Sequence, residues 1–263
     1  MESLSNMHKK HVSAIILAAG SGKRIGGDIK KQYIELMGVP LICHTISVFE
    51  NYTDIDDIIL VVPKGDEEYV KRDIVQKYGF AKIKAVICGG SERYFSVAKG
   101  LEYIEKNILC RSHGAAELVM IHDGARPFLK ENILKRICDG FENAASSNAP
   151  FACAVAVKVK DSLKYADTDG NVLKSLDRDY IYAMQTPQAF SFSIIAKAYG
   201  KLVSETEKSE EKLDITDDAM ALERYCPQYK IRLLEGSYNN FKITTAEDIK
   251  YAEFLLKNSE RSC

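Results

Sequence analysis

Two short runs of the chain combine small residues with charge in an order suited to holding a phosphorylated ligand. The first is Leu17-Ala18-Ala19-Gly20-Ser21-Gly22-Lys23-Arg24. A buried strand that delivers the chain into small residues lets backbone amides approach an anion unobstructed. Lys23, Arg24, Lys30 and Lys31 follow at once, so amides and cations together could cradle a triphosphate. A plain glycine turn with solvated lysines accounts for the same residues. Two commoner nucleotide motifs fail here. G-x-G-x-x-G requires glycine where Ile25 stands, as does a Walker loop begun at Gly20, and one begun at Gly22 meets Asp28 where lysine belongs.

The second run is Met120-Ile121-His122-Asp123-Gly124-Ala125-Arg126-Pro127. Asp123 follows a predicted central strand, at the edge where open α/β sheets place their ligands. A lone carboxylate there can hold Mg²⁺ or another divalent cation against phosphate oxygens, and Arg126 can fork onto a phosphate. A helix cap or turn residue is the plainer reading of the same aspartate. His122 is assigned no role. Three further clusters are less specific. Gly89-Gly90-Ser91-Glu92-Arg93 is a glycine turn before a helix and could read a base edge through backbone groups. Thr216-Asp217-Asp218 reads first as a helix cap, and Asn239-Asn240-Phe241-Lys242-Ile243-Thr244 sets one lysine among small polar residues.

The elements that must position these residues follow from periodicity. Near-continuous apolar runs predict strands over 12–17, 57–62, 83–87, 118–121 and 151–157. Between them, Pro40 is predicted to open a helix with Leu41, Thr45, Val48 and Tyr52 on one side. Ser91 is predicted to cap a second, with Tyr94, Val97, Leu101 and Ile104 buried, and residues 130–146 form a third. This alternation predicts an α/β fold, a mostly parallel sheet with helices on both faces. Residues 160–176 break the rhythm: two polar strand-like pieces flank Asp169-Gly170, suited to a tight hairpin turn with positive φ. The expectation is a projecting β-hairpin arm on one domain covering 1–263. Residues 201–212 read as a mobile loop or frayed helix end, and Thr245-Ala246-Glu247-Asp248 reads as a capping box before a helix over 249–257.

Composition removes several classes. Lysine and arginine number 36 against 37 acidic residues, a formal net charge of -1, which argues against a nucleic-acid or anionic-membrane binder. Hydrophobic residues make up 46% of the 263, enough for a sizeable core. The seven cysteines contain no C-x-x-C pair, so zinc-ribbon and thioredoxin-like chemistry is unsupported, and reduced, packed thiols are expected. His8-Lys9-Lys10-His11 followed by Val12 to Ala19 imitates a secretory signal, but the short apolar run leads into the glycine loop and fits a buried strand better. No stretch is long enough to span a bilayer. A cytoplasmic protein is expected.

Taken in order, eight segments resemble the 2-C-methyl-D-erythritol 4-phosphate cytidylyltransferase family from Val12 to about Leu256. They are the glycine run, Lys31-Gln32-Tyr33, the Gly89–Arg93 turn, His122 to Pro127, Lys160-Asp161-Ser162-Leu163-Lys164, Gln185-Thr186-Pro187-Gln188, Thr216-Asp217-Asp218 and Lys242-Ile243-Thr244. The resemblance implies a Rossmann-like sheet whose arm crosses to a partner subunit in a homodimer. It implies that CTP is joined to a polyol phosphate with release of pyrophosphate. Arg24 and Lys31 look like the pair gripping the triphosphate, with Lys242 as a third catalytic cation. Ala18, Gly20, Gly90, Ser91 and Ser96 look like nucleotide contacts, and Asp123 matches the Mg²⁺-associated aspartate. Arg126, Ser162, Arg178, Thr186, Thr216 and Lys242 match contacts to the methylerythritol phosphate, with Ser162 and Arg178 serving the neighbouring site. Ser162 stands where threonine is usual, which keeps the hydroxyl and loses a methyl. A sister enzyme acting on ribitol 5-phosphate shares the CTP half, and a non-catalytic nucleotide-binding protein could use the same fold. Gly124 to Pro127 and the two aspartates after Thr216 favour the first.

Overall fold

The computed structural model describes residues 10–20, 30–111, 117–208 and 213–260. Each predicted apolar run is a strand, with ends shifted by a residue or two. These are β1 (His11–Leu17), β4 (Asp57–Val62), β5 (Ile83–Cys88), β6 (Glu117–Asp123) and β7 (Ala152–Lys158), separated early on by a two-strand ribbon, β2 (Glu35–Leu36) and β3 (Val39–Pro40). The arm is β8 (Leu163–Ala166) with β9 (Val172–Leu176), and β10 (Tyr182–Ser191) and β11 (Arg232–Glu235) return to the sheet. The order is β11-β7-β10-β6-β1-β4-β5. All neighbours pair in parallel except β10, which runs antiparallel to both β6 and β7.

Among the described residues the α-helices are α1 (Leu41–Asn51), α2 (Glu67–Val70, continuing as a π-helix over Lys71–Gln76), α3 (Arg93–Asn107), α4 (Glu131–Ser146), α5 (Phe192–Lys208), α6 (Asp218–Tyr225) and α7 (Ala246–Glu260). Alternation along the strands sorts them into two layers. Val12, Ala14 and Ile16 of β1 pack with Leu118 and Met120 of β6 under α1, α2 and α4. Ile15, Val119 and Ile121 face the other way, under α3, α5 and α6. A smaller cluster seats Ala252 of α7 on Ile243, Leu36 and Leu41.

Several local expectations are corrected. Pro40 ends β3 and precedes α1, rather than occupying its first turn. The buried face of α1 carries Ile42, Thr45, Ile46 and Phe49, whereas Val48 is half-buried. Glu92, not Ser91, is the residue before α3, and its side chain makes no cap hydrogen bond. The arm turns through five residues: Ala166 pairs with Val172, and of the intervening residues Gly170 alone has positive φ, at 86°. Asp167 organises that turn, its Oδ1 accepting from the N–H groups of Asp169 and Asn171. A side chain thus replaces the two-residue geometry expected of Asp169-Gly170. The charged stretch from Lys201 is helical as far as Lys208, with Leu202 fully buried; residues 209–212 lie outside the described residues. The capping box holds. Thr245 Oγ1 accepts from Asp248 N–H, and Asp248 Oδ2 accepts from the N–H of Thr244 and of Thr245.

Cys43, Cys138, Cys153 and Cys226 are buried, Cys88 is half-buried and Cys110 exposed, all six as free thiols. Burial pushes Cys153 up to about 12, so it packs rather than reacts. Among the described residues no helix is long and apolar enough to cross a membrane.

Candidate active site

The carboxyl ends of β1 and β6 open on a cavity of about 370 Å³, within the range of small-molecule sites. Ala18 and Gly20 line it where β1 ends, Gly90, Ser91 and Ser96 where β5 gives way to α3, and Lys31, Asp123 and Lys242 complete the wall. Segments far apart in sequence therefore meet at one edge of the sheet. The register explains part of this: Leu17 lies beside Asp123, and Gly124 N–H donates to Leu17 O at 2.8 Å. A Cβ on Gly124 would sit 2.7 Å from Ile42 Cδ1 and 3.0 Å from the Leu17 carbonyl, so the close approach of the two loops requires glycine there.

Asp123 is the electrostatic centre. Its Oδ2 lies 3.0 Å from Lys242 Nζ and 3.3 Å from Arg126 Nε, and its Oδ1 lies 3.8 Å from Arg93 Nε. Burial opposes ionisation, but the charges of Lys242, Arg93 and Arg126 overcome it and hold the carboxyl well below its usual range. The backbone of Asp123 is fixed by Thr186, whose Oγ1 accepts from Asp123 N–H at 3.0 Å. The same hydroxyl lies 3.0 Å from His122 Nδ1, and His122 Nε2 lies 3.2 Å from the Arg126 carbonyl. This arrangement suits a neutral imidazole that donates from Nε2 and accepts at Nδ1. Burial pulls His122 down to about 4, so it stays uncharged at neutral pH. These two contacts tie the ring to the loop after β6 and to β10.

The turn ahead of α3 is shaped by Ser96. Its Oγ accepts from Gly90 N–H at 3.1 Å and donates to Glu92 O at 3.3 Å. Lys99 Nζ donates to the Gly89 carbonyl at 2.9 Å, and Gly90 and Ser91 line the cavity. Opposite, Asn240 docks the loop bearing Lys242: its Nδ2 donates to Thr186 O at 2.9 Å, and its carbonyl accepts from Arg126 Nη1 at 2.8 Å.

Other residues named from the sequence lie elsewhere. Lys30 is diverted from the cavity, its Nζ pairing with Asp66 at 2.5 Å. Ser162 and Arg178 are exposed at the base of the arm, where Arg178 Nη1 donates to Lys160 O at 2.9 Å. Thr216 is exposed and precedes Asp217, which caps α6 by accepting from Met220 N–H at 2.8 Å. The cap reading of that segment is correct for Asp217. Lys23 and Arg24 lie outside the described residues.

Sequence reasoning quoted Arg93 and Asp218 only within their segments, with no individual role, and did not name Tyr199. Arg93 lines the cavity, and its Nη1 and Nη2 donate to the two oxygens of Asp218, both at 2.7 Å. Tyr199 OH donates to Asp218 Oδ1 at 2.6 Å. The signal was the arginine immediately after a glycine turn and the second of two adjacent aspartates. Their separation of 125 positions hides the pairing.

Comparison with known proteins agrees with this geometry. The family model for 2-C-methyl-D-erythritol 4-phosphate cytidylyltransferase matches residues 12–258. The proteins of that name from Alkaliphilus oremlandii and Alkaliphilus metalliredigens are 40% and 41% identical to this chain. Each alignment covers 93% of it, and 94% and 92% of the relatives respectively. The crystal structure of 4-diphosphocytidyl-2C-methyl-D-erythritol synthase from Anaerococcus prevotii superposes with a TM-score of 0.76 at 35% identity, covering 94% of this chain and 96% of that one. The Francisella tularensis 2-C-methyl-D-erythritol 4-phosphate cytidylyltransferase gives 0.70 at 29%, covering 93% and 99%. A mostly parallel sheet, an acidic residue ringed by cations at its carboxyl edge and near-full-length similarity converge: this chain belongs to the 2-C-methyl-D-erythritol 4-phosphate cytidylyltransferase family.

Proposed function

We propose that the protein transfers a cytidylyl group from CTP to 2-C-methyl-D-erythritol 4-phosphate, giving 4-diphosphocytidyl-2-C-methyl-D-erythritol and pyrophosphate. Beside the family relationship, the observation that carries this reading is the cavity whose wall combines Asp123, Lys242 and Lys31 with the Gly90–Ser91 turn. The attacking group is a phosphate oxygen, ionised at neutral pH, so no general base is needed. Neutral His122 therefore presents no difficulty. Catalysis reduces to alignment and to charge stabilisation at the α-phosphate. Lys242 and Lys31, with Arg24 beyond the described residues, would offset the charge that builds as pyrophosphate leaves. The Gly90 and Ser91 carbonyls would accept from the cytosine amino group, which uracil lacks.

A divalent cation suits this site. A single buried carboxylate that stays ionised matches the way Mg²⁺ binds, through one or two carboxylates with substrate phosphates supplying further oxygens. Among the described residues no group of three or more acidic, histidine or cysteine side chains could hold a metal unaided, so an ion would arrive with the nucleotide. Asp123 would hold it, and it would supply Lewis-acid neutralisation of the phosphates.

We infer further a one-domain protein that works in the cytoplasm as a homodimer, and the arm supports the last of these. Tyr165, Val172 and Leu173 are 56%, 61% and 59% exposed, and apolar side chains so open on a projecting hairpin suit a subunit contact. Ser162, Arg178 and Thr216 would then meet the polyol phosphate in the assembled site, with Arg126 behind Asp123 and Thr186 supporting it. Pyrophosphate release tests the whole reading. It should be rapid with CTP and methylerythritol phosphate and slower by at least ~10²-fold with ribitol 5-phosphate. Tight CTP binding without release would make the protein a non-catalytic binder.

A further inference from the structure

Arg93 stands apart from the other cations of the site because its hydrogen-bonding fork points away from the cavity. Both terminal nitrogens are held at 2.7 Å by Asp218, a fully buried carboxylate that begins α6. Tyr199, buried in α5, closes the arrangement from behind through its 2.6 Å hydrogen bond to Asp218 Oδ1. Burial pushes the Tyr199 phenol far above its usual value, so it keeps its proton and remains the donor. What Arg93 offers the cavity is therefore its charge and its Nε edge, 3.8 Å from Asp123 Oδ1 and beyond hydrogen-bond reach. Arg93 is also the first residue of α3, directly after the turn that walls the nucleotide side. The guanidinium thus links the start of α6, by hydrogen bonds, to the carboxylate at the end of β6, by charge, from a residue that opens α3 just after the turn.

We propose that Arg93 is a positioning residue of the transfer reaction. Asp218 and Tyr199 hold it off the phosphates, so that its charge steadies the Asp123 carboxylate from just beyond hydrogen-bond distance and ties the start of α3 to the start of α6, instead of gripping the nucleotide. The inference rests on the reaction given above. An arginine with a loose fork beside a triphosphate would bind it bidentately. A contact equally strong in the ground and transition states would add affinity for the nucleotide without raising turnover. With the fork occupied by Asp218, the cation sets geometry, which the reaction needs more than further affinity.

The test compares Arg93→Lys, Asp218→Asn, Tyr199→Phe and the double variant Arg93→Lys/Asp218→Asn. It reads kcat, KM for each substrate, CTP affinity by equilibrium dialysis and the thermal midpoint. Asp218→Asn should lower kcat by at least ~10-fold while the dissociation constant for CTP stays level or falls, because the released fork gains the phosphates. Arg93→Lys keeps the charge but loses the fork; it should lower kcat by about 10²-fold with KM for CTP within about threefold of wild type. The double variant should be no slower than Arg93→Lys alone, since Asp218 acts through Arg93. Tyr199→Phe, the mildest change, should lower kcat by about threefold with unchanged KM and decides the matter should Asp218→Asn not fold. The proposal is overturned by multiplying losses in the double variant. Weaker CTP binding at normal kcat, or a lowered thermal midpoint with kcat and KM unaltered, would also overturn it. An inactive wild type that binds CTP would refute the reaction itself, which the variants cannot mimic.

Discussion

Glu117 opens β6 at the opposite end from Asp123; the residue is 6% exposed and both its carboxyl oxygens are buried, with the Ser13 hydroxyl as their nearest polar support. Burial is the main reason its pKa rises to about 7 from an ordinary 4.5; Asp57 and Asp56 push the same way, while Ser13 and His11 offset part of the effect. The folded state thus favours the protonated acid. Its contribution to stability is fully present below 4.5 and is lost as pH rises through about 7. At roughly 1.4 kcal/mol per pH unit between the two values, the ionised carboxylate costs the fold about 3 kcal/mol well above pH 7. Glu117→Gln supplies a neutral side chain of nearly the same shape. Urea denaturation from pH 5 to pH 9 should show the variant near wild type at the acid end. It should be more stable by about 2–3 kcal/mol at the alkaline end, with an unchanged m-value. His11 is raised chiefly by its hydrogen bond to Asp57, and its stabilisation too fades with rising pH. It persists in both proteins and largely cancels in the difference. Turnover should be unaffected, since a seven-residue strand puts the two ends about 20 Å apart. Parallel stability curves for the two proteins, or a variant less stable at pH 9, would refute the argument.

Four shorter predictions concern the site and the arm. Lys242→Ala should lower turnover by at least ~10²-fold in the pyrophosphate assay, because it removes the cation 3.0 Å from Asp123; near-normal turnover would remove Lys242 from the mechanism. Replacing CTP by UTP should reduce kcat/KM by at least ~10²-fold, and equal activity would dismiss the turn as the base reader. In Gly89→Ala the added carbon would lie 2.5 Å from Ala19 Cβ and 2.8 Å from Ser96 Oγ. Thermal denaturation should show a loss of about 1–3 kcal/mol, together with a raised KM for CTP. Sedimentation should find a dimer that Leu173→Asp converts to monomer; a wild-type monomer at assay concentration would contradict the role given to the arm.

Much of this architecture was readable because the parallel strands are buried on both faces and so appear as unbroken apolar runs, as in Asp57–Val62, where every residue is buried. Asp123 was readable for the same reason: a strand that ends in aspartate and glycine announces a ligand-binding edge. By contrast β10 was not read as a strand. Its Gln-Thr-Pro-Gln segment carries turn chemistry, and its place between β6 and β7 is decided by tertiary packing. The Arg93–Asp218 pair was hidden by its separation along the chain, and Thr186 reads as a surface residue until His122 and Asp123 are placed beside it. The end of α5 was left open between a loop and a frayed helix end because its charges outnumber its apolar residues, and buried Leu202 goes with the helix.

The irregularity in β10 reaches beyond its own strand. Met184 pairs with Ala156 and Gln188 with Ala154, so three residues, Gln185 to Pro187, stand opposite Val155 alone. Slack of that kind releases backbone and side-chain groups from the ladder, and the loop carrying Lys242 claims them. Gln185 Nε2 donates to Ser237 O, and Thr186 O accepts from Asn240. A redesigned protein with β10 trimmed to perfect pairing would own a tidier sheet and nowhere to moor its lysine. Imperfection in the scaffold is here the fitting to which the chemistry is bolted.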